Sequence, residues 1–478
     1  MKKFNLFILF FGLFQVANAQ CTNPVNFSEV WSIPYTPANT KIPMTTAYDN
    51  NGQNYLYVAA RSQGLMIYDM ANINVPVFSN SISIASLDSQ YVMNLTQSGN
   101  YLFLAMGDHW DTTGTRASLA VINVSNPAIP IIEDIWHSTD TVNGSAIVKV
   151  QGNYAFLGGM QQGLFILDVS VKNNIQFVSQ FIPPINWPDA SGGPAKFNAR
   201  GMEVKNNILY LCYDNGGIRV IDITNKSVPV ETGRYANAAL IGKPRAYNNI
   251  YLNDSLLYVA HDFCGMEILN VKDTSNIQLL SWWNPRQCDV YYGLFDWWGS
   301  TLHMNEIVYD SACKTVFMSG GQTEIMAMNV ADPYNPDSCE MFGTHTNNLG
   351  TWGISKYQDK LFAAYIWAVI PFSSNFSGIK MIQYDACAVG IEEELVDGGF
   401  IIYPNPANSA VTIELKSLAL NDYKYEIRDI TGKLIISNSI FSGAKILNFS
   451  VEGIAKGVYM ISIKNNNGLI GTTNLITY

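Results

Sequence analysis

Seven short apolar runs, each closed by Asp, Asn or Gln, punctuate the first four-fifths of this chain. They end at Asp69, Asn123, Asp168, Asp222, Asn270, Asn329 and Gln383, with spacings of 54, 45, 54, 48, 59 and 54 residues. A period near 50 residues built from strands sets the architecture before any single residue is considered. Upstream of each marker lies a second apolar strand, such as Tyr55-Leu-Tyr-Val-Ala59 or Tyr154-Ala-Phe-Leu-Gly158, and before that a weaker one, such as Ile147-Val-Lys-Val150. Downstream come a turn, often with Pro, and a fourth strand: Val75-Pro-Val-Phe78, Ile129-Pro-Ile-Ile132, Val228-Pro-Val-Glu231. Asp or Asn before a polar residue is turn chemistry, because the short side chain bonds the backbone two residues on. Runs that are apolar at every position predict strands covered on both faces, as blade-on-blade stacking provides. Small residues recur at the end of the second strand (Ala59, Ala105, Gly158, Cys212, Ala260, Ser319, Ala363), which predicts a crowded position there.

Four short antiparallel strands per unit and seven units predict a β-propeller. The seventh unit stops at Asp385-Ala-Cys387 without a fourth strand, and Phe27-Ser-Glu-Val-Trp-Ser-Ile-Pro34 is the candidate to complete it and close the ring. From residue 401 the pattern changes to alternating strands with Gly turns, as in a small immunoglobulin-like β-sandwich. The expected fold class is therefore all-β: a seven-bladed propeller followed by that sandwich.

Gly163-Leu-Phe-Ile-Leu-Asp-Val-Ser170 and Gly217-Ile-Arg-Val-Ile-Asp-Ile-Thr224 are the clearest repeat copies, and with them the chain resembles the LVIVD-repeat proteins over about residues 25 to 390. The resemblance implies a propeller-like, secreted or surface protein and brings no catalytic motif. The C-terminal segment is very similar to the sorting domain of type IX secretion substrates. Tyr403, Pro404, Asn405 and Pro406 open it, Gly432 and Lys433 follow Asp429-Ile-Thr, and Gly457, Val458 and Tyr459 begin a late strand. Its final residues, Asn474 to Tyr478, lack the basic residue common at the end of that family. This similarity implies the type IX secretion machinery as a partner and a route through the periplasm to the outer-membrane surface or the medium. The sorting domain is usually removed there, with the cargo released or attached to lipopolysaccharide.

The N-terminus fits that route. Met1-Lys-Lys-Phe4, an apolar stretch from Leu6 to Val16 and Ala17-Asn-Ala19 read as a signal peptide spanning 1–19. Gln20 before Cys21 is a poor lipoprotein site, and no later segment holds enough consecutive apolar residues to span a bilayer as a helix. The expected organisation is a propeller over 20–389, a linker over 390–400 carrying Glu392-Glu-Glu394 and Gly398-Gly399, and the sorting domain over 401–478.

A net charge of −10 argues against nucleic acid as a partner. Seven cysteines in an exported chain point to disulfides, with Cys21–Cys387, Cys264–Cys288 and Cys313–Cys339 as the candidate pairs and Cys212 left as a buried thiol. Loops joining second to third strands share a face with the loops joining blades, and function concentrates there. Candidate ligand-binding residues on that face are Arg61, Asp108, His109, Trp110, Asp214, His261, Asp262, Trp297, Trp298, His303, Trp352 and Trp367. Aromatic faces beside Asp, His and Arg suit sugar or peptide recognition. Asp108-His109-x-Asp111 could be read as metal ligands, but a solvated loop explains it without a metal. Arg61, Arg200 and Arg245 could form an anion clamp. No recognisable nucleophile, zinc or phosphate-loop motif occurs, and no catalytic residue, metal or cofactor is assigned. The preferred expectation is a non-catalytic glycan- or protein-binding module. An extracellular polysaccharide- or peptide-degrading hydrolase or lyase and a structural adhesion or matrix component are the alternatives.

Overall fold

The computed structural model describes residues 25–36, 41–110, 115–190, 196–290, 302–344, 347–368, 373–385, 400–415, 423–440, 444–465 and 468–477. The chain divides into two compact units at residues 387/388. The first contains seven four-stranded antiparallel sheets. Six run in simple sequence order within residues 45–82, 92–137, 147–181, 202–235, 249–283 and 307–342, and we number these blades 1 to 6. Blade 7 is built from Thr351–Tyr357, Lys360–Tyr365 and Gly378–Tyr384, and its outermost strand is the N-terminal Phe27–Pro34. That strand pairs with the third from Phe27 opposite Tyr384 to Pro34 opposite Gly378.

The repeat marker has a mechanical reason. The carboxylate or amide oxygen of Asp69, Asn123, Asp168, Asp222, Asn270 and Asn329 accepts the backbone N–H two residues on, at 2.7 to 2.9 Å. This Asx turn starts the reversal from third to fourth strand and is absent where no reversal is made. Gln383, at the seventh position, instead donates to Asp359 Oδ2 at 3.2 Å, because its fourth strand arrives from the other end of the chain.

The continuous apolar runs are explained by the packing. Among the described residues, seven separate apolar clusters each join one blade to the next: Tyr57 and Leu102 meet between blades 1 and 2, Phe103 and Leu157 between 2 and 3, and Phe156 and Leu211 between 3 and 4. The ring completes through Val220 with Val259, Ile268 with Val316, Phe317 with Leu361, and Phe362 with Leu56. Alternate side chains of one strand thus enter two different cores. The small second-strand positions are crowded as expected: a Cβ on Gly158 would lie 2.7 Å from Ile147 Cγ2 and 3.1 Å from the Ala199 carbonyl oxygen.

The second unit is a sandwich of a three-stranded and a four-stranded sheet around Ile413, Tyr425, Ile427, Ile461 and Ile463. Its signature residues are structural. The Asn405 amide clamps the last strand, donating to Asn474 O at 2.7 Å and accepting Ile476 N–H at 2.8 Å. Asp429 caps the Thr431-Gly432-Lys433 turn, where Gly432 has φ +81°. Val458 points outward while Tyr459 is buried and donates to Ala455 O.

Cys264 and Cys288 form a disulfide with Cα atoms 5.5 Å apart. Cys212 is a buried thiol whose pKa burial pushes well up. The signal peptide, Cys21, Cys387 and residues 390–399 of the expected linker lie outside the described residues, as does the side chain of Cys339; Phe400, expected in the linker, instead begins the strand Phe400–Tyr403.

A bare sheet edge pairs with other chains. A chain lacking Phe27–Pro34 is expected to melt at least roughly 5 °C lower and to form higher-mass species on size-exclusion chromatography. A monomer of unchanged stability would show that the closing strand is dispensable.

Candidate functional site

The tips of the second-to-third-strand hairpins fold over the start of the next blade. Backbone bridges pin Arg61 to Val92, Met160 to Ala199, Asp214 to Tyr247, Asp262 to Met304 and Gly321 to Thr351. These hairpins and the residues entering each innermost strand therefore ring one mouth of the central channel.

Trp352 is the hub of this mouth. Trp110 meets it edge-on at 5.0 Å between centroids, His109 lies at 6.1 Å, His303 at 5.6 Å and the Arg200 guanidinium at 5.9 Å. Lys41 Nζ and the Arg61 guanidinium sit over the Trp110 ring at 4.7 and 5.1 Å. Arg61 is ion-paired with Asp108, and His303 Nδ1 lies against Asp262 Oδ1. Asp214 accepts a hydrogen bond from Asn198 at 2.8 Å. Burial pushes its pKa up to about 6, against the opposing charge of Arg200.

Beneath this cluster His109, Arg200, Asn94, Asn248, Asn249, Asn305 and Glu306 line a small pocket of about 30 Å³. That is room for a water or two. Asn94, Ile147, Asn249 and Glu306 also line a second cavity of about 190 Å³, in whose wall Lys149 pairs with Glu203 at 2.9 Å. Glu306 is shared by both spaces. It enters blade 6, yet accepts from Thr45 Oγ1 of blade 1 at 2.7 Å, Asn94 Nδ2 of blade 2 at 3.3 Å and Ile354 N–H of blade 7 at 2.9 Å. Burial pushes its carboxyl up to about 7, with the Thr45 and Ile354 bonds opposing.

His109 is the unusual member. It is 8% exposed, and both ring nitrogens are buried without a hydrogen-bond partner. Burial holds its pKa well below the usual value, and Arg200, Arg61 and Lys41 add to that in this order. The ring is therefore neutral in a locally positive field.

Of the residues singled out in the sequence, Arg61, Asp108, His109, Trp110, Asp214, Asp262, His303 and Trp352 lie in or against this cluster. His261 does not. It is fully buried between blades 4 and 5, stacked on Tyr247 at 4.2 Å with Nδ1 3.4 Å from Glu267 Oε1. Trp367 is half-buried, with its backbone N–H bonded to Ser377 Oγ. Trp297, Trp298 and Asp111 lie outside the described residues. Arg245 leaves the proposed clamp, being fully buried and spent on Asn215 O, Leu240 O and Asp189 Oδ2, whereas Arg200 stays in the mouth. Sequence reasoning missed Lys41, Asn94, Asn248, Asn249, Asn305 and Glu306. The signal for most of these was a polar residue at the entry to an innermost strand, visible only once that strand's start is known.

The two units define the class: an all-β chain with a seven-bladed propeller and a small β-sandwich. Solved structures with this fold include a chain in the crystal structure of the mitotic checkpoint complex, at 10% identity and TM-score 0.50, covering 80% of this chain and 99% of that one. The RRP9 WD40 repeats match at 9% identity and TM-score 0.50, covering 76% and 97%. At such identities the likeness is one of fold alone. No curated protein matches the chain. Residues 52–83, 90–136, 144–181 and 198–237 match the LVIVD repeat, and residues 401–477 match the secretion system C-terminal sorting domain. The propeller thus contains LVIVD repeats, and the chain carries a type IX sorting domain, which directs it to the cell surface or extracellular space. Among the described residues no helix is long and apolar enough to cross a membrane.

Glu306 titrates above its ordinary value of 4.5, so the stability it contributes is full below about 4.5 and is lost as pH rises through about 7. Glu306→Gln is expected to flatten the fall in melting temperature between about pH 4.5 and 7. Asp214 leaves a residual slope below its own value of about 6. Parallel wild-type and variant curves would remove Glu306 as the source.

Proposed function

We propose that this exported propeller binds a glycan at the central mouth around His109 and Trp352 and does not turn it over. The observation that carries the reading is the buried His109 ring with neither nitrogen partnered. A neutral imidazole offers one N–H donor and one acceptor. Leaving such a group buried and unsatisfied costs about 1–3 kcal/mol. A hydroxylated ligand can meet both needs. The amides of Asn94, Asn248, Asn249 and Asn305 supply further donors and acceptors around the same space, and Trp110, half-buried at the rim, supplies apolar ring surface. A pocket of about 30 Å³ seats a substituent of a sugar, not a whole ring, so the remainder of the ligand lies against the rim.

Turnover of the glycan by a hydrolase or lyase is the second reading, because His109 and the high-pKa Glu306 line one pocket and could exchange a proton with one ligand.

The full exported chain is expected to be retained on a glycan array, with His109→Ala and Asn249→Ala each weakening retention about tenfold, or 1.4 kcal/mol. The same change at Trp187, which packs on Arg219 away from the mouth, is expected to have no effect. Retention unchanged in both mouth variants removes the mouth as the site. Release of new reducing ends or unsaturated products that stops in Glu306→Gln would favour the second reading.

A further inference from the structure

We infer that the sugar unit taken at this mouth is acidic, with its carboxylate held by Arg200; this rests on the glycan reading above.

Arginines drawn into this protein are paired. Arg61 has Asp108, Arg219 has Glu231, Arg245 has Asp189 and Arg428 has Glu426. Arg200 is half-buried, and its guanidinium has neither an ion-pair partner nor a hydrogen bond among the described residues. A half-buried guanidinium without a partner keeps its donors available to an arriving anion. The carboxylates nearby are already engaged: Asp108 by Arg61, Asp262 by His303, and Asp214 by Asn198 outside ion-pair range of Arg200. Glu306 is held by Thr45, Asn94 and Ile354.

The unpaired guanidinium shares its pocket with the unpartnered imidazole of His109. Two complementary vacancies thus face one space, one asking for an anion and one for a hydroxyl. Uronic-acid units carry both groups on one ring. The planar fork of Arg matches a carboxylate through two parallel N–H bonds. The fall in the His109 pKa agrees, since Arg200, Arg61 and Lys41 all reach it as positive charge. Bulk charge does not supply the attraction, because the chain is −10 overall and repels polyanions at long range.

The test is calorimetric titration of the full exported chain with a panel of oligouronates (galacturonate, glucuronate and mannuronate), with their carboxyl-reduced counterparts, and with a sulfated neutral oligosaccharide. At least one oligouronate is expected to bind at least ten times more tightly than its reduced form and than the sulfated sugar. Arg200→Gln is expected to bring the acid-to-reduced ratio to about one, and Arg200→Lys to retain part of it. Melting curves that match wild type establish that both variants are folded. Equal binding of acidic and reduced sugars, or an acid preference that survives Arg200→Gln, overturns the carboxylate assignment and leaves the glycan reading standing. Preference for the sulfated sugar also overturns it. No binding of any carbohydrate removes both.

Discussion

The pairing of Phe27–Pro34 with Gly378–Tyr384 is the constraint from which the rest of this molecule follows. A four-stranded blade buries two faces only if it has a neighbour on each side, and seven blades have that only in a closed ring. The seven blade-to-blade clusters are consequences of closure, because each strand's alternate side chains serve two cores. Closure joins the two ends of the propeller in a single sheet. It also removes the unpaired edge that an exported protein can least tolerate during transit.

The ring geometry brings the seven innermost strands to one axis, and there the chain places polar groups where an ordinary core would be apolar. Glu306 shows what this does. One carboxylate accepts hydrogen bonds from blades 1, 2 and 7 while belonging to the entry of blade 6. It ties together, across the axis, the blades on either side of the closure. A carboxyl raised toward neutrality therefore acts on ring stability and on the pocket it lines at the same time. Protonation chemistry at the mouth and mechanical integrity of the ring are coupled through the same atoms.

The strand pattern and its Asp marker were legible because both have short-range causes. Alternating burial reads as a continuous apolar run, and the Asx turn needs only a residue and its second neighbour. Gln383 departs from the marker for the reason the structure supplies, namely that no reversal follows it. The mouth was less legible. His109 and His261 both stand near the ends of second strands, and sequence treats them alike. His261 is the last residue of its strand, pairs opposite Gly265, and sends its ring into the interblade core beside Glu267. His109 lies beyond its strand, past Gly107 at φ +99°, and its ring turns to the axis. Standing three residues past the strand end, and not on it, separates the pocket histidine from the core histidine. Asn248, Asn249, Asn305 and Glu306 were hidden for a related reason. They precede or begin innermost strands that are short and weakly apolar, so nothing local marks their approach to the axis.

The two halves of the chain treat polar groups differently. In the sorting domain Asn405 and Asp429 each complete a turn or clamp a strand, and Glu426 is ringed by Arg428, Lys464 and Lys424, which draw its pKa down to about 2. These charges have a local use in holding the sandwich. In the propeller the same economy holds for Arg219 and Arg245; at the mouth the His109 ring is buried with neither nitrogen partnered, and the half-buried Arg200 guanidinium has no ion pair among the described residues. A fold under selection for stability alone replaces such groups by apolar ones at little cost or some gain. Their retention at the one place where all seven blades converge is accounted for by a partner that the chain itself does not contain.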